Sequence, residues 1–277
     1  MADAIFEDPR LAAIYDPLDP DRSDLAAYAG IAAEFGARSV LDIGCGTGTF
    51  CCVLAGLGYT VTGLDPALAS LEIARSKPYA DRVTWVHGTV ADLPPPTGGR
   101  SGSAGRSVGA GRPGQAGRSV GAGWPGQARR ASTSDIAFMT GNVAQVFTSD
   151  AEWASVLSAA HDALRPGGML VFETRDPARR AWESWNPGES RLCADIPGVG
   201  PIETWNEVTT VDGELVTFRG TIVFRSDGTV VTSDSTLRFR SREAVAASLA
   251  AAGFTVEDVR DAPDRPGREF VFVARRG

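Results

Sequence analysis

The sequence contains few residues of the kinds that bind metals. Lys77 is the only lysine, and the 277 residues include only two histidines and four cysteines. The cysteines form no Cys-x-x-Cys pair and no ligand spacing with the histidines, so neither a zinc site nor a disulfide framework is expected. We predict free thiols and no bound metal.

Long apolar runs and a positive net charge are absent as well. No stretch approaches the roughly 20 apolar residues that a membrane span needs, and the N-terminal segment MADAIFEDPR is acidic where a signal peptide would be positive. The formal net charge of -7 disfavours a nucleic-acid-binding surface, which normally shows a basic excess. We expect a cytoplasmic globular protein with no membrane or nucleic-acid partner.

One segment differs from the rest of the chain in composition. Residues 94–134 consist mainly of Pro, Gly, Ser, Ala and Arg, and RSVGAGRPGQAGR (106–118) is followed in register by RSVGAGWPGQARR (118–130). This tandem duplication contains too few apolar residues to offset the entropy cost of ordering it. We predict a disordered surface insertion over 95–133, either tolerated passively or in contact with a partner.

The remaining sequence alternates between strand-like and helix-like segments. Short β-branched or aromatic runs occur at 38–44, 59–65, 82–88, 135–141 and 169–175, and helical stretches occur at 48–57, 67–76 and 150–164. Alternation of this kind predicts right-handed βαβ crossovers and a parallel sheet covered by helices on both faces.

The C-terminal third has a different pattern. Segments of alternating polarity at 202–210, 214–225 and 229–240 are joined by VDGE and SDGT, and Asp-Gly between such runs is a hairpin signal. We predict an antiparallel meander of three strands. A helix over 242–252 should follow, and then two strands, 255–260 and 269–274, that pair antiparallel at the sheet edge.

The stretch VLDIGCGTGTF, residues 40–50, places three glycines where a predicted strand meets a predicted helix. Glycine permits positive φ and close approach of a ligand to the backbone, and open α/β sheets bind ligands beyond the carboxyl ends of their strands. Asp65 ends the next strand, a position from which a carboxylate can accept hydrogen bonds from ribose hydroxyls. The turn and the acid together indicate an adenosine-containing cofactor.

The glycine spacing, Gly44-x-Gly46-x-Gly48 preceded by Asp42, resembles the first motif of the class I S-adenosylmethionine-dependent methyltransferases. GLDPALASLEIAR (63–75), LRPGGMLVFE (164–173) and REFVFVARR (268–276) are similar to later motifs of that family. The resemblance implies an α/β, Rossmann-like seven-stranded sheet with an antiparallel last strand. The antiparallel β meander would lie over the C-terminal edge of the strands.

The same resemblance implies roles for individual residues around S-adenosyl-L-methionine. Asp42 would orient the turn or reach the amino group, Asp65 would hold the ribose diol, and Pro66 would pack on the adenine. The other cofactor-binding candidates are Gly44, Cys45, Gly46 and Gly48 in the turn, Thr89 and Val90 with Asp92 beside the adenine, Thr140, Asn142 and Gln145 beside the methionine moiety, and Tyr15 in an N-terminal lid.

Candidates for contact with a methyl acceptor lie mainly in ETRDPARRAWESWNPG, residues 173–188. Arg175 could meet a carboxylate or another lid residue, and Trp182 and Trp185 could form an apolar lid with Trp205 of the meander. The tryptophans could equally attach the meander to the sheet. The sequence identifies no catalytic base, and in-line methyl transfer needs mainly alignment and exclusion of water.

These assignments predict an enzyme that methylates a small organic acceptor at oxygen, nitrogen or carbon. Two alternatives stay open: a non-catalytic partner or sensor that binds S-adenosylmethionine, and an NAD-dependent oxidoreductase, which the glycine spacing disfavours. The predicted organisation is an N-terminal lid (1–36), a cofactor-binding core (37–180), a meander (181–240) that serves as a lid or a homodimer contact, and a C-terminal part (241–277) that completes the sheet.

Overall fold

The structure is a computed structural model that describes residues 3–93 and 133–277. The predicted insertion at 95–133 lies outside the described residues except for Thr133. No helix in these two ranges is both long and apolar enough to cross a bilayer.

Seven strands form the main sheet. They are β1 (Ser39–Ile43), β2 (Thr60–Asp65), β3 (Val83–His87), β4 (Ser134–Met139), β5 (Leu164–Arg175), β10 (Phe254–Asp261) and β11 (Glu269–Arg276). Their spatial order is β10-β11-β5-β4-β1-β2-β3, in which β1 to β5 run parallel and β11 is antiparallel to both of its neighbours. The predicted seven-stranded sheet with a reversed last strand is confirmed.

Helices cover both faces of this sheet. They are α3 (Asp24–Glu34), α4 (Thr49–Gly56), α5 (Leu68–Arg75), α6 (Asp150–Ala163) and α7 (Arg242–Ala251). Successive side chains of β4 point to opposite faces of the sheet and so to different helices. Ile136 and Phe138 pack with residues of α3 and α4. Ala137 and Met139 pack with residues of α6 and α7. The strands between two helical layers are therefore almost continuously apolar.

The helix ends explain why the polypeptide becomes helical at these points. Ser149 and Glu152 form a capping box at the start of α6, in which the Glu152 N–H donates to Ser149 Oγ at 3.2 Å. Ser241 Oγ accepts from the Ala244 N–H at 3.2 Å at the start of α7. Gly253 follows the end of α7 at a φ of +84°, a conformation that favours glycine.

A second, antiparallel sheet contains four strands. They are β6 (Leu192–Ile196), β7 (Gly200–Asp212), β8 (Leu215–Phe224) and β9 (Val230–Arg238), in the order β6-β7-β8-β9. The predicted meander of three strands is therefore incomplete, because β6 pairs with the outer side of β7. Most side chains of β6 are exposed or half-buried, so its sequence lacks the alternation that marks a half-buried strand.

The N-terminal helices α1 (Ala4–Glu7) and α2 (Pro9–Leu18) connect the two sheets. Leu11 and Ile14 of α2 pack in an apolar cluster with residues of the second sheet. The Ile5 N–H donates to Ser233 Oγ of β9 at 3.0 Å, and Ser70 Oγ of α5 donates to the Phe6 carbonyl at 3.0 Å. Unlike α1 and α2, α3 packs in the main core, so the predicted N-terminal lid contains one helix that belongs to the core.

Candidate cofactor and acceptor site

The glycine turn between β1 and α4 depends on left-handed backbone. Gly44, Gly46 and Gly48 have φ values of +75°, +53° and +72°. A Cβ on Gly44 would lie 2.7 Å from Val143 Cγ1, whereas a Cβ on Gly46 would meet no atom within 4 Å. Gly44 is therefore required by close packing, and Gly46 presents bare backbone to open space that a ligand can approach.

Asp65, at the carboxyl end of β2, holds this turn through its carboxylate. Asp65 Oδ2 accepts from the Gly46 N–H at 2.7 Å, and Oδ1 accepts from the Ala67 N–H at 2.8 Å. Burial raises the pKa of Asp65, and the two backbone donors oppose that rise. Each carboxylate oxygen has two lone pairs, so both oxygens retain acceptor capacity for a ligand hydroxyl.

Asp42, the last residue but one of β1, is a buried acid beneath the turn. Its Oδ2 accepts from the Cys51 thiol at 3.3 Å, whereas Oδ1 is buried and has no partner among the described residues. Burial raises the pKa of Asp42 to about 7. An uncharged donor such as a thiol stabilises a carboxylate weakly, so this carboxyl group is suited to receive a stronger donor from a ligand.

The raised pKa of Asp42 predicts a pH dependence of stability. Between pH 5 and 7 the native state holds a proton that the unfolded state has released, so the free energy of unfolding should fall as pH rises. In Asp42→Asn the free energy of unfolding should fall less steeply with pH, by up to about 1.4 kcal/mol per pH unit. Urea unfolding at several pH values measures this pH dependence. Glu72→Gln, at an exposed position, is the control and should keep the wild-type slope. An unchanged slope in Asp42→Asn would contradict the prediction.

The segment after β4 is held by Glu173 of β5. Glu173 Oε1 accepts from the Gly141 N–H at 2.7 Å and the Asn142 N–H at 3.1 Å, and its Oε2 accepts from the Tyr28 hydroxyl. Burial and the nearby charge of Glu269 raise the pKa of Glu173 to about 7. Sequence reasoning missed Glu173 as a site residue, although an acid at the carboxyl end of a predicted strand was a visible signal.

Asn142 occupies a strained position in this segment. Its φ is +61°, and its side-chain Nδ2 donates to Glu269 Oε2 at 3.2 Å. Asn142 Oδ1 is buried and has no partner among the described residues. Thr140, on the same loop, is half-buried. Asn142 therefore supplies a second unpartnered buried acceptor after β4, which lies next to β1 in the sheet.

Gln145, predicted to lie beside the methionine moiety, makes contacts between the two sheets. Its side chain is fully buried, accepts from Arg175 Nη1 at 3.0 Å and donates to the Arg238 carbonyl at 3.4 Å. These bonds connect the end of β5 to β9. Gln145 thus lies in the contact between the two sheets and positions Arg175, and no part of it faces an open cleft.

The residues expected near an adenine are placed at the ends of β2 and β3. Thr89 and Asp92 form a capping box, in which the Thr89 N–H donates to Asp92 Oδ2 at 2.8 Å. Val90 is half-buried beside them, and Pro66 is exposed with its carbonyl 3.0 Å from a ring nitrogen of His87. Pro66, Thr89 and Asp92 are all exposed, and the Asp92 carboxylate is already engaged with Thr89.

A polar contact that we name the Asp16 clasp joins α2 to the glycine turn. Asp16 Oδ1 accepts from Thr47 Oγ1 at 2.6 Å, and Asp16 Oδ2 pairs with Lys77 Nζ at 2.6 Å. Lys77 also donates to Thr49 Oγ1 at 2.6 Å. The next residue to Asp16, Tyr15, is partly exposed on α2, with its ring centroid 5.6 Å from that of Phe6. Sequence reasoning missed the clasp because its residues are far apart in the chain.

The predicted cluster of three tryptophans is only partly formed. Trp182 and Trp185 pack around Phe239, with ring centroids 4.6 and 6.0 Å from it, and Trp185 also packs on Phe218. Trp205 stands apart, because Phe218 pairs with Val208, three residues along β7, and odd spacing puts the two side chains on opposite faces. The partner of Trp205 is the Arg191 guanidinium, 4.9 Å from its ring centroid.

Arg175 ends β5 between the two sheets. Its Nε lies 3.6 Å from Glu269 Oε1, and its guanidinium lies 5.5 Å from the ring centroid of Trp185. Burial lowers the pKa of Arg175, and the charge of Glu269 opposes that shift.

Cys45, in the turn, is half-buried and lies near Cys51. In residues 3–93 and 133–277, no group of three or more His, Cys, Asp or Glu side chains could hold a metal ion.

Comparison with known protein families and sequences identifies two similarities. The profile of a family described as "Methyltransferase domain" matches residues 18–195. A protein of Geobacillus sp. (strain WCH70), named as a candidate methyltransferase, is 47% identical over 49 residues. That match covers 18% of this chain and only 20% of the Geobacillus protein.

Several solved structures share the whole fold. The CcbJ methyltransferase from Streptomyces caelestis is 18% identical, with a TM-score of 0.67 over 96% of each chain. CalS10 with bound S-adenosylmethionine, an amino pentose methyltransferase from Micromonospora echinaspora, is 20% identical, with a TM-score of 0.60 over 95% of this chain and 97% of that one. The sugar N-methyltransferase KedS8 from Streptoalloteichus sp. is 19% identical, with a TM-score of 0.65 over 95% of this chain and 92% of that one. At these identities the likeness is one of fold.

Proposed function

We propose, from the premise that this chain belongs to the methyltransferase domain family, that it binds S-adenosylmethionine at the glycine turn and methylates a small organic acceptor. The observation that carries this function is the arrangement of Gly46 and Asp65. Gly46 offers bare backbone to open space, and Asp65 holds that backbone while retaining acceptor capacity. Such a pair fits the methionine end and the ribose diol of one extended ligand.

The two buried acceptors without partners support the same ligand. Asp42 Oδ1 lies on β1, and Asn142 Oδ1 lies on the loop after β4. The strands β1 and β4 are adjacent in the sheet. Buried acceptors without donors are costly and few in native proteins. A ligand ammonium group would supply the missing donors, which matches the amino group of the methionine moiety. Binding of a cation would also favour the ionised form of Asp42.

S-adenosylmethionine, when bound, supplies an activated methyl group, and the chain's own residues align the acceptor and exclude water. The Asp16 clasp holds α2 against the glycine turn. Trp182, Trp185 and Arg175 border the carboxyl end of β5, where an acceptor would approach. Glu173 and Gln145 keep the neighbouring backbone and Arg175 in place. These residues would act by positioning the acceptor, which is what in-line methyl transfer mainly requires.

A small acceptor is supported by proteins of similar fold. CalS10 is an amino pentose methyltransferase, and KedS8 is a sugar N-methyltransferase. Both proteins share this chain's fold over nearly the whole length of the chain. We infer a small organic acceptor for this chain, methylated at oxygen, nitrogen or carbon.

Calorimetric titration tests the cofactor directly. The purified protein is titrated with S-adenosylmethionine, S-adenosylhomocysteine and NAD. We expect micromolar binding of the first two and none of NAD, because the turn spacing and reversed last strand differ from those of a dinucleotide-binding sheet. Binding of NAD, or of none of the three, would contradict the proposed function. Binding without methylated product from any pool of small acceptors would favour a non-catalytic role.

A further inference from the structure

A large cavity beside Arg175 has an unusual concentration of arginine. It has a volume of about 880 Å³ and lies between the segment after β5 and the loop before β11. Its lining includes Arg175, Arg179, Arg180, Arg265 and Arg268, together with Glu183, Glu189 and Glu269. Five arginines against three glutamates give this cavity a positive excess, although the whole chain carries a net charge of -7.

Some of these arginines are already paired within the protein. Arg265 Nη1 donates to Glu269 Oε1 at 2.9 Å, and Arg175 Nε lies 3.6 Å from the same oxygen. Arg180 Nη1 donates to Glu183 Oε1 at 3.3 Å, an exposed pair. These contacts satisfy Glu269 and Glu183. The remaining charge of the cavity is set by Arg179 and Arg268 together with one further acid, Glu189.

Arg179 and Arg268 are the arginines with little internal pairing. Arg268 is exposed and forms no ion pair with any residue in the described parts of the chain, and Arg179 has only a loose contact of 3.7 Å with Asp176. The Asp176 N–H donates to the Arg268 carbonyl at 2.9 Å, which ties the two segments together. Arg179 Nη2 reaches the opposite segment, because it lies 3.8 Å from the position of a Cβ on Gly267.

We propose that the acceptor carries a phosphate or carboxylate group and that Arg179 and Arg268 hold it at the mouth of this cavity. The guanidinium fork matches both anions and can donate two parallel hydrogen bonds to either. On a chain of net negative charge, a positive cavity also attracts an anionic ligand selectively. This inference rests on the proposed function, because Arg175 joins the cavity to the carboxyl end of β5, where the methyl group would be delivered.

Titration with simple anions tests the inference. Pyrophosphate and malonate are titrated into the wild-type protein at low ionic strength, with and without saturating S-adenosylhomocysteine. We expect at least one anion to bind, and the double variant Arg179→Ala/Arg268→Ala to weaken that binding at least about tenfold. Arg75→Ala, which removes an exposed arginine at the end of α5, should bind the anion like the wild type.

The outcomes separate the anion site from the cofactor site. Stronger binding of pyrophosphate would identify a phosphate-bearing acceptor, and stronger binding of malonate a carboxylate-bearing one. If S-adenosylhomocysteine binds all variants equally but neither anion binds the wild type, or the double variant binds anions unchanged, the anion inference is wrong and the cofactor assignment stands. If S-adenosylhomocysteine fails to bind while the anion result is as expected, the proposed function is wrong instead.

Discussion

Replacement of Asp65 by alanine should lower the affinity for S-adenosylhomocysteine by at least about 100-fold, because hydrogen bonds to a charged group are worth about 1.5–3 kcal/mol each. Two losses combine in this variant. The ligand loses the acceptor for its ribose hydroxyls, and the Gly46 and Ala67 N–H groups lose the carboxylate that holds the turn. Calorimetric titration measures the affinity, and thermal unfolding shows that the variant is folded.

Two companion variants sharpen the Asp65 experiment. Asp65→Asn keeps a side-chain oxygen that can accept from one backbone donor, so it should bind better than Asp65→Ala and worse than the wild type. Asp162→Ala removes an exposed aspartate of α6 and should bind normally. A folded Asp65→Ala protein whose affinity stays within about threefold of the wild type would rule out a ribose contact at Asp65.

Replacement of Gly48 by alanine should reduce the free energy of unfolding by about 3 kcal/mol. A left-handed conformation costs a non-glycine residue about 1–2 kcal/mol, and overpacking costs a further 1–3 kcal/mol. Both apply here, because φ is +72° and the new Cβ would lie 2.5 Å from Trp85 Cη2 and 2.6 Å from Ala74 Cβ. Urea unfolding gives the change.

Gly30→Ala is the matched control for this variant. Gly30 lies within α3, has no atom within 4 Å of its added Cβ and has no positive φ. Alanine there should leave stability unchanged or raise it by up to about 1 kcal/mol, since alanine is the better helix former. Equal stability of Gly48→Ala and the wild type would show that the turn can adopt another conformation.

The sequence predicts the main sheet well because its signals are local. Each central strand is a short apolar run bounded by polar or glycine residues, and each helix between them starts at a recognisable turn or cap. The glycine turn and Asp65 could be found for the same reason, since a few adjacent residues carry the geometry. The Asp-Gly turns at Gly213 and Gly228 likewise predict the hairpins of the second sheet.

The misses arise where the structure depends on contacts between distant residues. The strand β6 is defined by its pairing with β7 and not by its own polarity pattern. Trp205 points away from Trp185 because of a register that no local pattern reveals. Gln145 is buried by the approach of β9, 93 residues further along the chain. The Asp16 clasp and the bond from Tyr28 to Glu173 are equally non-local.

The position of α2 predicts that the two proposed ligand sites influence each other. One side of α2 packs on the second sheet through Leu11 and Ile14, and Asp16 fastens it to the glycine turn. A ligand that favours one position of α2 at the turn would therefore also favour one position of the second sheet, whose Phe218 packs on Trp185 of the arginine-lined cavity. Thermodynamic linkage makes such an effect mutual: the factor by which cofactor raises acceptor affinity equals the factor by which acceptor raises cofactor affinity.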